Sequence, residues 1–209
     1  MNRREALASV SGGLLALGAT AVAQGAESPV AAQTTEESIK LLTDVRQATR
    51  FTDEPINEHD LQKIVTIGLN APSALNLQPW FFTVVTDRKL LAEIDKAAHV
   101  DPKGRLSLTG SPTVILISTD VSQDYSKFDV GVATDRMNVA ALMLGYGCKT
   151  VATAPKVAND KRFKDKLGVP KDYTIIAALL IGKEIERSVD GVSGATTREP
   201  LEKKFFFVR

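Results

Sequence analysis

The chain has 209 residues, with 26 lysines and arginines against 25 aspartates and glutamates. That length holds one domain with a sizeable core and is too short for two comfortable ones, while the balanced charge offers no electrostatic footprint for nucleic acid. A single cysteine, Cys148, excludes an internal disulfide, and two histidines, His59 and His99, without an HExxH or CxxC pattern argue against a zinc or iron site built from protein ligands.

Residues 1–23 read as a signal peptide. Arg3 and Arg4 precede an apolar stretch diluted with Gly, Ala and Ser, and Ala21-Val22-Ala23 closes it as a small-x-small cleavage pattern. The arginine pair resembles a twin-arginine signal, with Ala6 where that motif prefers Phe; a general secretory signal and an uncleaved anchor are the alternatives. Each alternative exports the protein from a bacterial cytoplasm, to the periplasm or an equivalent compartment. Residues 24–36 are small and polar and read as a linker, which leaves 37–209 for the folded domain.

A first helix is expected over 37–47. A second is expected over 56–71, where Asn57 can cap and Leu61, Ile64, Val65 and Leu69 recur at helical spacing. β-branched and aromatic residues predict a strand over 80–86. An amphipathic helix follows over 88–98, then a short apolar strand over 113–119. Residues 129–147, rich in small and apolar side chains, predict a long buried helix. A strand over 148–153, a charged outer helix over 156–168 stopped by Gly168 and Pro170, and a last central strand over 173–182 complete the pattern. Helices and strands interleave around one sheet, which is α/β or α+β. Cys148, at the start of a strand, reads as a buried small hydrophobe.

Between the second helix and the first strand stands the segment Pro72-Ser73-Ala74-Leu75-Asn76-Leu77-Gln78-Pro79-Trp80. Pro72 ends the preceding helix. A polar loop bracketed by prolines suits a ligand wall, and equally a plain helix-to-strand connector. Three further segments accompany it in order: "RQATRFTDEPI" before it, then "DVGVATDRMNVAALMLGYG", then Arg198 with Pro200 and Leu201. Together they resemble the nitroreductase family of FMN-dependent oxidoreductases, over about residues 38–203.

The resemblance implies an α+β fold, a central sheet flanked by helices, assembled as an intertwined homodimer with FMN at the subunit interface. It implies Arg46 and Arg50 at the phosphate or ribityl end of FMN, where a guanidinium donates two charge-assisted bonds in a fork. Pro72, Ser73 and Asn76 would line the isoalloxazine from the opposite subunit, and Arg198 would meet the phosphate from the C-terminal segment. Lys103 or Arg105 would reach the flavin pyrimidine edge, or else be solvated loop charges. Ala48 stands where the family usually has Ser. The activity implied is ping-pong reduction of a small acceptor, such as a nitroaromatic, quinone or activated alkene, with NAD(P)H as donor. No side chain is assigned acid–base catalysis, because the flavin carries the hydride.

Near the C-terminus, Asp190, Ser193, Gly194, Ala195 and Thr196 fit Asp-x-x-[Ser/Thr]-Gly-Ala-[Ser/Thr]. From average residue usage a chance match in such a chain is about one in a thousand. The segment resembles the acceptor motif of exported flavoproteins in which a flavin transferase esterifies FMN, through its phosphate, to the last Thr or Ser. Thr196 precedes Arg198 by two residues and is therefore the covalent FMN candidate; the alternative is a loop whose amides and hydroxyls hold FMN non-covalently. This motif carries a second functional reading, an extracytoplasmic electron carrier fed by a membrane donor. Finally, Ala133, Val139, Ala140, Ala141 and Leu144 give the long helix more apolar surface than one side of a short sheet needs, and "KKFFFVR" adds three phenylalanines. The helix argues for an obligate dimer, and the aromatic run is expected to dock on the same subunit or on its partner.

Overall fold

The computed structural model describes residues 34–44, 46–104, 106–152, 154–187 and 203–208. Its elements in chain order are α1 (Thr35–Asp44), β1 (Ala48–Phe51), α2 (Glu58–Leu69), β2 (Trp80–Val85) and α3 (Arg88–Ala97). Then come β3 (Thr113–Thr119), α4 (Asp124–Met143), β4 (Gly147–Val151), α5 (Lys161–Leu167), β5 (Thr174–Gly182) and β6 (Glu184–Arg187). Short 3-10 turns cover Ala74–Asn76, Leu108–Gly110 and Ala154–Asn159. The expected signal peptide and linker fall almost wholly outside the described residues, as do Asp190, Thr196, Arg198 and Arg105.

Four strands form an antiparallel sheet in the order β2-β3-β5-β4, and β1 pairs with β6 in a separate antiparallel ribbon. With helices packed on both faces of an antiparallel sheet, the class is α+β. β3 is buried along its whole length, as a central strand covered on both faces must be. Ile115 and Ile117 point into a core shared with Leu61 and Ile64 of α2 and Ala133 and Met137 of α4. Val114 and Leu116 point the other way, toward Leu91 and Ile94 of α3 and Phe163 of α5. Cys148 is buried in the first core, as its position at a strand start indicated.

Boundaries differ from expectation where local chemistry overrides periodicity. α1 begins at Thr35 because Thr34 and Glu37 form a reciprocal capping box: Thr34 N donates to Glu37 Oε2 at 2.8 Å, and Glu37 N donates to Thr34 Oγ1 at 3.2 Å. Asn57 caps α2 as expected, accepting from His59 N at 2.8 Å. α4 begins at Asp124 and stops at Met143, before Gly145, whose φ of 84 takes the left-handed conformation. The charged helix expected over 156–168 is divided: a 3-10 turn runs to Asn159, and α5 starts only after Asp160. Its stop at Gly168 is as expected, with φ 66.

β1 and β6 have four residues each and little apolar alternation, which is why periodicity misses them. Their ribbon closes on the main sheet at Gly147. A Cβ there would lie 2.7 Å from Glu184 Cβ and 2.9 Å from Ala48 Cβ, so only glycine admits the approach. Ala48 is fully buried in this contact.

Candidate active site

The loop between α2 and β2 is held out from the fold in an unusual conformation. Leu75, Asn76 and Gln78 have φ of 51, 56 and 50. For residues with a Cβ each such position costs roughly 1–2 kcal/mol, so the surrounding bonds must determine it. Four do. Arg136 Nη1 of α4 donates to Asn70 O at 2.9 Å. Ala74 N donates to Asp129 Oδ2, also of α4, at 3.1 Å. Gln78 N donates to Ser73 Oγ at 2.9 Å, and Thr119 Oγ1 of β3 donates to Pro79 O. Each contributes about 0.5–1.5 kcal/mol, more where a charge takes part, which offsets the backbone cost. Trp80 is buried and anchors the far end, whereas Leu75 is 90% exposed and Leu77 is exposed beside it. Sequence reasoning named Pro72, Ser73 and Asn76 here but missed Asp129, Arg136 and Thr119 as the groups that hold them. A charged Asp amid the small residues of α4 was the available signal.

The candidate phosphate ligands sit elsewhere. Arg50 lies on β1 with its side chain 67% exposed, in an ion pair of 3.4 Å to Glu186 of β6. Arg46 precedes β1 and donates to Thr43 O at 3.4 Å. The β1–β6 register shifts on both sides of Arg50. Lys103 is exposed, with its backbone N–H on Asp101 Oδ1.

The two groups do not meet within the chain. Trp80 pairs with Thr119, and Thr119 with Thr174, so the loop stands at that end of the sheet on its β2 edge. The arginine ribbon packs at the other end, where Ala48 meets Gly147 and Phe51 lies against Gly182, toward the β4 edge. Three strand spacings across and about seven residues along put them roughly 27 Å apart.

Two apolar grooves run along α2. One, of about 500 Å³, includes Leu61, Val65 and Val84 in its lining; the other, of about 590 Å³, includes Ile67, Ala140 and Met143. Neither is lined by Arg46, Arg50 or the 72–78 loop. Phe128 and Met143 of α4 are 74% and 66% exposed, and Phe205 and Phe207, packed edge to face at 4.7 Å, are exposed too. Just beyond the C-terminal end of α4, Tyr146 Oη donates to Asp60 Oδ2 at 2.8 Å, joining the α4–β4 turn to α2. That bond lowers the Asp60 carboxyl below its ordinary range. Burial, with Glu184 adding, pushes the Cys148 thiol up to about 12, so it stays protonated at neutral pH and is no nucleophile.

An antiparallel four-stranded sheet between α2/α4 and α3/α5, with a pinned loop at one corner and an arginine ribbon at the other, is a nitroreductase-like α+β fold. A solved nitroreductase with bound FMN from Desulfitobacterium hafniense shares it, with a TM-score of 0.71 at 20% identity, covering 84% of this chain and 100% of that one. The nitroreductase family model matches residues 45–105 and 101–183, and the chain belongs to the nitroreductase family; it is an oxidoreductase of that type. Among relatives, it is 27% identical over 174 residues to the FMN reductase (NAD(P)H) of Bacillus subtilis, spanning 73% of this chain and 68% of that protein. It is 26% identical over 170 residues to the iodotyrosine deiodinase of Thermotoga neapolitana, spanning 69% and 89%.

Proposed function

We propose that the chain is an exported, FMN-dependent oxidoreductase working as an intertwined homodimer, which takes electrons from NAD(P)H and reduces a small acceptor such as a nitroaromatic, a quinone or an activated alkene in ping-pong alternation. The observation that carries this reading is the pinned loop of Pro72, Ser73 and Asn76 lying far from Arg46 and Arg50 in the same subunit. A homodimer would bring one subunit's loop to its partner's arginines.

The residues present fit FMN at both ends. Arg50 is exposed and engaged only weakly by Glu186, since an exposed ion pair contributes about 0–1 kcal/mol; a phosphate would take its fork more strongly. The loop presents the polar Asn76 and the apolar Leu75 outward on a backbone already fixed, so little order is lost on meeting a flat ring. FMN, when bound, supplies the hydride and electron transfer. The residues' part is to hold its two ends, to exclude water with Leu75 and Leu77, and to place positive charge at the phosphate. Arg105 and Arg198 are proposed as further cofactor ligands from the sequence alone.

The test is FMN titration of flavin-free protein, followed by anaerobic reduction with NADH, with NADPH and with a quinol. Saturable FMN binding, nucleotide reduction and turnover on a nitro compound are expected. Absence of FMN binding would refute the reading, and reduction by the quinol alone would move it to the alternative below.

The acceptor pattern ending at Thr196 favours one alternative, an extracytoplasmic electron carrier in which a flavin transferase has esterified FMN to Thr196 and a membrane donor reduces it. Protein made with an active flavin transferase should then stay yellow on denaturation and gain the mass of FMN less one water. Thr196→Ala should abolish the gain and Thr197→Ala should not. Complete release of flavin on denaturation would exclude the tether.

A further inference from the structure

We infer that Asp129 is the positioning residue of the proposed flavin-ring wall, fixing the left-handed turn at Leu75 and Asn76 through the Ala74 N–H. The consequence for flavin rests on the FMN reading above; the consequence for the loop does not.

Asp129 is 3% exposed on the face of α4 that also buries Val130 and Ala133. Packing alone calls for an apolar side chain there, and a buried carboxylate is costly unless a donor meets it. The donor is Ala74 N, 3.1 Å from Oδ2. This N–H lies at the position where the chain enters the left-handed residues. The Ser73 Oγ bond to Gln78 N closes the loop on itself and fixes its shape. The Asp129 bond instead fixes its place against the fold. Two helical turns later on the same face, Arg136 holds Asn70 O, at the end of α2. α4 therefore grips the chain on both sides of Pro72, and the wall moves only as α4 moves. Asp129 touches no reacting atom, so its role is positional.

The test compares Asp129→Ala, Asp129→Asn and Tyr146→Phe. The asparagine keeps an oxygen that can accept from Ala74 N, the alanine does not, and the tyrosine change removes a bond at the far end of α4. In flavin-free protein, hydrogen exchange over residues 72–78 should quicken at least tenfold in Asp129→Ala and stay near the parent in the other two. In FMN-bound protein, Asp129→Ala should weaken affinity about tenfold, the equivalent of one charge-assisted bond, and alter the visible circular dichroism of the bound flavin, with Asp129→Asn restoring both. Unchanged exchange in Asp129→Ala overturns the inference whether or not FMN binds. Equal failure of Asp129→Asn overturns it as well, because acceptance of the Ala74 hydrogen bond would then not be what matters. A parent protein that binds no FMN, with the exchange pattern as expected, refutes the FMN reading and leaves the loop assignment standing.

Discussion

The loop at 72–78 and the β1–β6 ribbon are the two candidate halves of one site, and they are built in opposite ways. The loop carries three non-glycine residues in the left-handed region, held by bonds from α4, β3 and its own Ser73. The ribbon has an irregular register, and its Arg50 meets solvent and one exposed carboxylate. A flat, weakly polar ring gains from a wall shaped beforehand, because few strong bonds repay the ordering of a mobile one. A phosphate makes strong, forked, charge-assisted bonds and can order an arginine on arrival. On the proposed FMN reading, the contrast would put the ring at the rigid corner and the phosphate at the loose one.

Substitutions can break that contrast. The largest effect is expected from Arg50→Ala or Arg46→Ala, each removing a charge-assisted bond of about 1.5–3 kcal/mol. FMN affinity by fluorescence titration should fall ten- to a hundredfold, with the urea midpoint of flavin-free protein almost unmoved. Retained affinity in both variants would take the ribbon out of the site.

Next comes Gly147→Ala. Its methyl collides with the β-carbons of Glu184 and Ala48, and overpacking of this kind costs about 1–3 kcal/mol. Urea unfolding should show the loss, and FMN should weaken with it as the ribbon lifts; a stable variant would show the closure to be soft. Asn76→Val comes third. A β-branched residue resists φ of 56, at a cost of about 1–2 kcal/mol, and Asn76→Gly should show no such cost. The flavin absorbance band, which reports the ring, should shift in the valine variant, and FMN affinity should fall about five- to thirtyfold with it. The smallest effect is that of Glu186→Gln. An exposed pair is worth about 0–1 kcal/mol, so stability should hardly change and FMN affinity should rise slightly as Arg50 is released. A clear loss of affinity would mean that Glu186 orients Arg50 rather than merely occupying it.

Sequence alone carries the fold's central part well. β3 coincides with its expected range because a run of apolar β-branched residues bounded by Ser111-Pro112 and Asp120 has few other outcomes. The α2 cap at Asn57 is legible for a similar local reason. β1 and β6 are not, since their pairing joins residues such as Arg50 and Glu186 that are distant in the chain and lack alternation. The motif residues Pro72, Ser73 and Asn76 are legible as a set. Their left-handed backbone is not, because nothing in Leu75-Asn76-Leu77 demands it; it arises from bonds to Asp129 and Arg136, which tertiary packing brings close. Nor does the sequence tell that the arginines and the loop occupy opposite corners, which follows only from strand order and register.

Given that separation, one flavin site would take its ring wall from one subunit and its arginines from the other. The direct measurement is complementation by subunit mixing. A wall-defective subunit, Asn76→Val, is exchanged with an arginine-defective one, Arg46→Ala/Arg50→Ala, and FMN bound per subunit is measured after exchange is verified by mass spectrometry. Each mixed dimer would hold one site with both halves intact, so random exchange should restore about a quarter of the parent's sites. No recovery beyond that of the separate variants, with mixed dimers present, would contradict the account and place both halves of the site in a single subunit.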